Sequence, residues 1–167
     1  EWRDEAREQV AVGAMQLQHV EAGSDGEPRR LHEQLAVLMD GALIGVNPHN
    51  GDLQWQGPFK AEYSIAIATP LWGPDNLLFI SSEYGGGTKV IELQRNGLQT
   101  KATELWSSNR LRLHHGNAIR IGDTIYFSSG GKGSQAILSA VDVRTGKIHW
   151  QERSIEITPV PVASCPM

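Results

Sequence analysis

Cysteine is almost absent from this sequence. Cys165 is the only one in 167 residues, so no intrachain disulfide and no cysteine-built metal cage can hold the fold together. No apolar run is long enough to cross a bilayer as a helix. A basic excess is missing too. The formal charge is −4, and the basic residues are scattered, with nothing denser than Arg29-Arg30. That excludes the positive field of a general nucleic-acid binder. The pattern Gly-x-Ser-x-Gly of a nucleophile elbow does not occur. The glycine-rich stretches Glu83–Thr88 and Gly130–Ser134 lack the spacing of a phosphate loop and read as hairpin loops between strands. The sequence begins at Glu1 without Met and shows no charged-then-apolar leader, and Ala163–Met167 carries no turn or cap. The chain is therefore expected to be a piece of a longer protein.

Glycine and proline are plentiful, with 18 and 8 residues, which favours many turns and short strands over long helices. The strongest signal is an internal repeat. Ala42–Trp55 and Ile137–Trp150 align without a gap, placing Asn47 on Asp142, Gly51 on Gly146 and Trp55 on Trp150. Each part has a physical reason. The apolar run before Asn47 or Asp142 reads as a strand buried on both faces or nearly so. Asn or Asp at the start of the turn bonds the backbone two residues on. Glycine four positions later supplies a left-handed conformation. The outgoing strand then reaches a Trp large enough to fill a seam between sheets.

A third, less regular copy lies between these two. Val90–Leu93 is its strand, Asn96-Gly97 its turn and Thr103–Trp106 its outgoing strand. Gly97 precedes Trp106 by nine residues, against four in the other copies, so this hairpin is longer by five. The Trp spacings are 106 − 55 = 51 and 150 − 106 = 44, a period fitting four-stranded propeller blades. The remaining strands follow: Met15–Val20 and Leu35–Met39 around a polar Ala22–Arg30 loop, then Ile65–Leu71 and Leu77–Ser82, then Asn117–Ile121 and Thr124–Ser129 joined by Gly122-Asp123. Arg3 to Arg7 and Asp4 to Glu8 fall at helical spacing, so a short helix is expected over Glu1–Gln9. The fold class is thus all-β: an open arc of about three four-stranded antiparallel blades, at roughly 14–56, 63–106 and 113–151. Residues 152–167 start a further blade, with Pro159 and Pro161 limiting Ile157–Ala163 to an edge strand. Three blades cannot close a ring. Completion requires further blades, from the parent chain or from oligomerisation, and the parent chain is the expected source.

Ala140–Trp150 resembles the tryptophan-docking motif of the pyrroloquinoline-quinone (PQQ) repeat, which runs Ala, any, Asp, two of any, Thr-Gly-Lys, two of any, Trp. Every defined position is present. The copy ending at Trp55 keeps Asn47, Gly51 and Trp55 but departs at Asn50 and Asp52, and the copy ending at Trp106 is degenerate. The resemblance covers Met15 to Trp150 and implies a quinoprotein-like β-propeller of a bacterial, periplasmic or envelope protein. It also implies a structural, blade-docking role for Asn47, Gly51, Trp55, Trp106, Asp142, Gly146 and Trp150, each indole seating on a peptide plane of the next blade.

The same repeat serves PQQ-dependent dehydrogenases and binding propellers that hold no quinone. Such dehydrogenases bind calcium and often carry two adjacent cysteines, which this chain lacks. Asp52, Asp75 and Asp123 read as turn residues, and Trp72 as blade packing. Adjacent His114 and His115 point to opposite faces of an extended strand and do not easily share a metal. With Arg110, Arg112 and Asn117 they form a polar cluster on a loop, and Tyr84, in the separate Glu83–Thr88 loop, offers an aromatic surface to a partner. The expected function is a non-catalytic scaffold that binds a protein or small molecule at its blade loops, through His114, His115, Asn117, Arg112 and Tyr84. No cofactor and no metal are expected. The alternative is a fragment of a PQQ-dependent alcohol or sugar dehydrogenase, which would use PQQ with Ca2+.

Overall fold

A computed structural model describes residues 15–20, 32–39, 41–59, 68–73, 75–83, 85–96, 99–113, 116–129 and 136–153. Twelve strands, and no helix among the described residues, make up the fold. The first sheet holds β1 (Met15–Val20), β2 (His32–Met39), β3 (Ala42–Val46) and β4 (Leu53–Pro58). The second holds β5 (Leu71–Trp72), β6 (Leu77–Ser82), β7 (Gly87–Asn96) and β8 (Gln99–Ser108). The third holds β9 (Ile119–Ile121), β10 (Thr124–Ser129), β11 (Ile137–Asp142) and β12 (Ile148–Arg153). In each sheet the strands lie side by side in chain order, and every pairing is antiparallel. These are three consecutive four-stranded blades of an open propeller arc.

The repeat extends to irregularities. The ladder between the third and fourth strands slips at Gly45/Val46, at Val90/Ile91 and at Ala140/Val141. One bulge per blade at the same register turns the outer strand alike each time.

Side-chain alternation explains the layering. β6 is buried along its whole length because it belongs to the middle blade. Leu78 and Ile80 pack with Ala36, Leu38, Leu43 and Trp55 of the first blade, while Leu77 and Phe79 pack with Ile125, Phe127 and Val141 of the third. The Phe79 and Phe127 rings meet at a centroid distance of 5.4 Å. Two interblade cores thus flank one sheet, and each supplies the burial that a lone blade lacks.

Several expectations need correction. The strand predicted over Ile65–Leu71 is reduced, among the described residues, to Leu71–Trp72. Ala68–Pro70 lies outside any strand, and Pro70 has no N–H to give a ladder. The strand predicted from Asn117 begins at Ile119. The outgoing strands run past their Trp residues to Pro58, Ser108 and Arg153. β3 is buried only on alternate residues rather than on both faces. The expected helix over Glu1–Gln9, the Ala22–Arg30 loop and the Ile157–Ala163 strand lie outside the described residues.

Candidate functional site

The two regular turns are built alike. Asn47 N–H donates to the Asp52 carbonyl, and Gly51 N–H to the Asn47 carbonyl; Asp142 and Gly146 repeat both bonds with Lys147 and Asp142. Asn47 Oδ1 accepts the His49 N–H, and Asp142 Oδ1 accepts those of Arg144 and Thr145. Gly51 and Gly146 take φ of 78° and 71°, which glycine adopts without a side-chain clash. Thr145 also donates its hydroxyl to Asp142, which holds that carboxyl below its usual range.

The three indoles differ in what they reach. Trp106 crosses to the third blade, where its Nε1–H donates to the Val143 carbonyl at 2.7 Å. Its ring covers Gly146 so closely that a Cβ there would lie 2.7 Å from the ring. Trp55 is buried over Gly45 of its own blade. Its Nε1–H donates to Gln34 Oε1 at 2.8 Å, and Gln34 Nε2–H donates onward to Thr100 Oγ1 at 3.0 Å. A buried glutamine thus joins the first indole to the second blade. Trp150 stays 46% exposed and meets the Tyr126 ring at 6.1 Å.

An ion network fastens the second and third blades at the end that carries these turns. Arg120 makes a two-pronged contact with Asp75, at 2.7 and 2.9 Å, and donates Nε–H to the Gly122 carbonyl. Arg144 adds a second cation at 2.7 Å. The hydrogen bond from Arg120 holds the Asp75 carboxyl below its usual range against the opposing effect of burial, and Asp75 in turn raises Arg120. The guanidinium lies directly over Gly73, so a side chain there would have to displace it from Asp75.

At the opposite end a cleft of about 400 Å³ opens between the second and third blades, lined by Glu83, Asn109, Arg110, Arg112, Ser129 and Ile137. A buried hydroxyl relay shapes its wall. Thr88 donates to the Leu111 carbonyl at 2.8 Å, so in the 2.6 Å Ser81–Thr88 contact Ser81 is the donor; Ser81 then accepts the Leu113 N–H. Leu111 and Leu113 are drawn into the core, and the alternating Arg110 and Arg112 face outward. Arg112 Nε–H donates to the Asn109 carbonyl at 2.7 Å. Glu83 Oε2 is buried and has no hydrogen-bond partner among the described residues. The two guanidinium groups suit hydrogen-bonded recognition of a polar chain or ligand.

Of the residues expected at a site, Arg112 lines the cleft. Asn117 is exposed and is not among the lining residues, and His114, His115 and Tyr84 lie outside the described residues. Sequence reasoning missed Glu83, Asn109 and Ser129. All three sit at or just past strand ends on the same side of the blades, which is the signal that pairs them. Among the described residues no three of His, Cys, Asp and Glu gather into one cluster. No described helix is long and apolar enough to cross a membrane.

A family model described as outer membrane protein assembly factor BamB matches residues 2–152. No curated protein matches the sequence. With the match spanning all three four-stranded blades, the chain belongs to the BamB family of PQQ-like β-propeller repeat proteins.

Proposed function

We propose that this chain is a non-catalytic binding scaffold of a bacterial envelope protein, engaging a protein partner through the loop end of its second and third blades. The observation that carries this reading is the cleft between those blades, which Arg110, Arg112, Asn109 and Glu83 line together. Blades fastened by cores and ion pairs give a rigid base, and the loops they hold provide recognition. The family's description as an assembly factor of outer membrane proteins supports a protein partner and an envelope location. Within the scaffold, Asn47, Gly51, Asp142 and Gly146 shape the two regular turns, and Trp106 seats on that of the third blade, whereas Trp55 packs over Gly45 of its own blade and Trp150 is 46% exposed. His114, His115, Asn117 and Tyr84, each within a few residues of a cleft residue in the sequence, complete the proposed set of binding residues.

The test is a photo-crosslinking amino acid placed at Asn109 in the full-length protein within cells, with Lys101 at the opposite end as control. Adducts with a defined envelope protein are expected at Asn109, weakened by Arg110→Glu with Arg112→Glu, and absent at Lys101. Equal labelling at both positions contradicts the reading. Adding PQQ with Ca2+ is expected to give no dye-linked oxidation of alcohols or sugars. Turnover there would establish the dehydrogenase reading instead.

A further inference from the structure

The segment that carries the arginines of the cleft is pinned to the second blade at alternate residues. Gly87, with φ of 65°, lets the end of β8 lie very close. A Cβ there would stand 2.7 Å from the Ser108 carbonyl oxygen and 2.9 Å from Asn109 Oδ1. The next residue, Thr88, donates to the Leu111 carbonyl, and Ser81 accepts the Leu113 N–H at 2.9 Å. Ser81 and Thr88 are each 1% exposed, so these bonds form away from water, where they are strongest. Ser108 Oγ accepts the N–H groups of Arg110 and Leu111. The backbone under Arg110 and Arg112 is thus fixed without using their charges.

Those charges are left over. Among the described residues neither guanidinium joins an ion pair, whereas those of Arg120 and Arg144 both do. Two cations line the cleft against the one carboxylate of Glu83, in a chain whose formal charge is −4. The local field there favours an anion. Burial alternates from Leu111 to Leu113 as in an extended chain, so Arg110 and Arg112 leave the backbone on one side. Two residues of extended chain advance about 7 Å. An extended partner repeats at the same interval, so its carboxylates at alternate residues meet both guanidiniums together.

We infer that the cleft takes an extended acidic segment of a protein, with one carboxylate for Arg110 and another, two residues away, for Arg112. This rests on the protein-binding role proposed above and adds the chemistry that the partner brings. Glu83, lining the same cleft, opposes the incoming charge and lowers the affinity.

The isotope-labelled full-length protein is titrated with short, end-blocked peptides of Ser and Gly that carry two glutamates, and the amide signals from Asn109 to Leu113 are followed by NMR. Peptides reading Glu-Ser-Glu are expected to shift these signals. They are expected to bind about fivefold more tightly than peptides reading Glu-Glu-Ser, which present one carboxylate at a time to the arginines. The matching lysine peptides are expected not to bind. Arg110→Glu with Arg112→Glu is expected to weaken binding by more than about tenfold, and Glu83→Gln to strengthen it about threefold. Equal affinity for the two spacings, or preference for lysine, overturns the inference. The wild-type protein alone supplies that comparison, so it holds even if the charge-reversed variant fails to fold. Absence of any shift overturns it too, even where Asn109 crosslinks to an envelope protein; the binding-scaffold reading then stands without this chemistry. Loss of both the shift and the crosslink removes the two together.

Discussion

Gln34 is fully buried and uses both ends of its amide, accepting from Trp55 and donating to Thr100. Replacing it with Leu keeps the approximate volume and removes the acceptor of a buried indole N–H. An orphaned buried donor costs about 1–3 kcal/mol. Thr100 is only half-buried and turns its hydroxyl to water, so the net loss is about 2 kcal/mol. Trp55→Phe shrinks the ring over Gly45 and orphans the Gln34 oxygen, for a loss of about 3 kcal/mol. With both changes neither orphan remains. The double variant therefore loses about 3 kcal/mol rather than the additive 5 or so, a coupling of about 2 kcal/mol. Urea unfolding followed by the far-ultraviolet β-sheet signal measures all four corners of the cycle, with an unchanged slope expected. Gln34→Glu adds a sign test. Burial raises the carboxyl's folded value, so the folded state binds more protons and stability falls as pH rises above about 4. Strictly additive losses, or a Gln34→Glu variant indifferent to pH, would refute the relay.

Arg120→Ala is expected to destabilise by roughly 2 kcal/mol. Its side chain is 8% exposed and that of Asp75 21%, between the exposed and buried limits for broken pairs; thermal unfolding measures it. Asp75 is lowered chiefly by its hydrogen bond from Arg120, so its stabilisation is present above the unfolded value near 3.8 and is lost as pH falls through the lowered folded value. Asp75→Asn should flatten that acid loss. Trp106→Phe keeps most of the ring and forfeits the bond to Val143, for about 1 kcal/mol. Asp142→Ala removes the cap of an exposed turn and costs about 1 kcal/mol, read as a lower unfolding midpoint in urea.

The blades were legible because their signals are local. An apolar run, an Asx turn start, a glycine four residues later and a Trp at fixed spacing lie within 14 residues, and the strands Leu77–Ser82 and Thr124–Ser129 follow to the residue. The five extra residues between Gly97 and Trp106 were visible too. Their consequence was not, because the glutamine that takes over lies 66 residues from its partner Thr100. Asp75 read as an ordinary turn residue, and only the fold brings Arg120 and Arg144 to it. The Ile65–Leu71 strand was overextended because hydrophobicity alone does not separate a strand from buried irregular chain, as Ala68 shows. In the cleft, Arg112 stood out by charge. Glu83 and Ser129 carry no distinctive pattern and meet only because strand ends of neighbouring blades converge.

Central to the account is that the second blade leans on the third through an indole laid on the third blade's turn. A nuclear Overhauser spectrum of the isotope-labelled protein tests it directly at Trp106. Strong cross-peaks from its ring protons to the Gly146 α-protons, with an indole N–H slow to exchange, are predicted. Cross-peaks confined to the second blade, with a freely exchanging indole N–H, would contradict the arrangement.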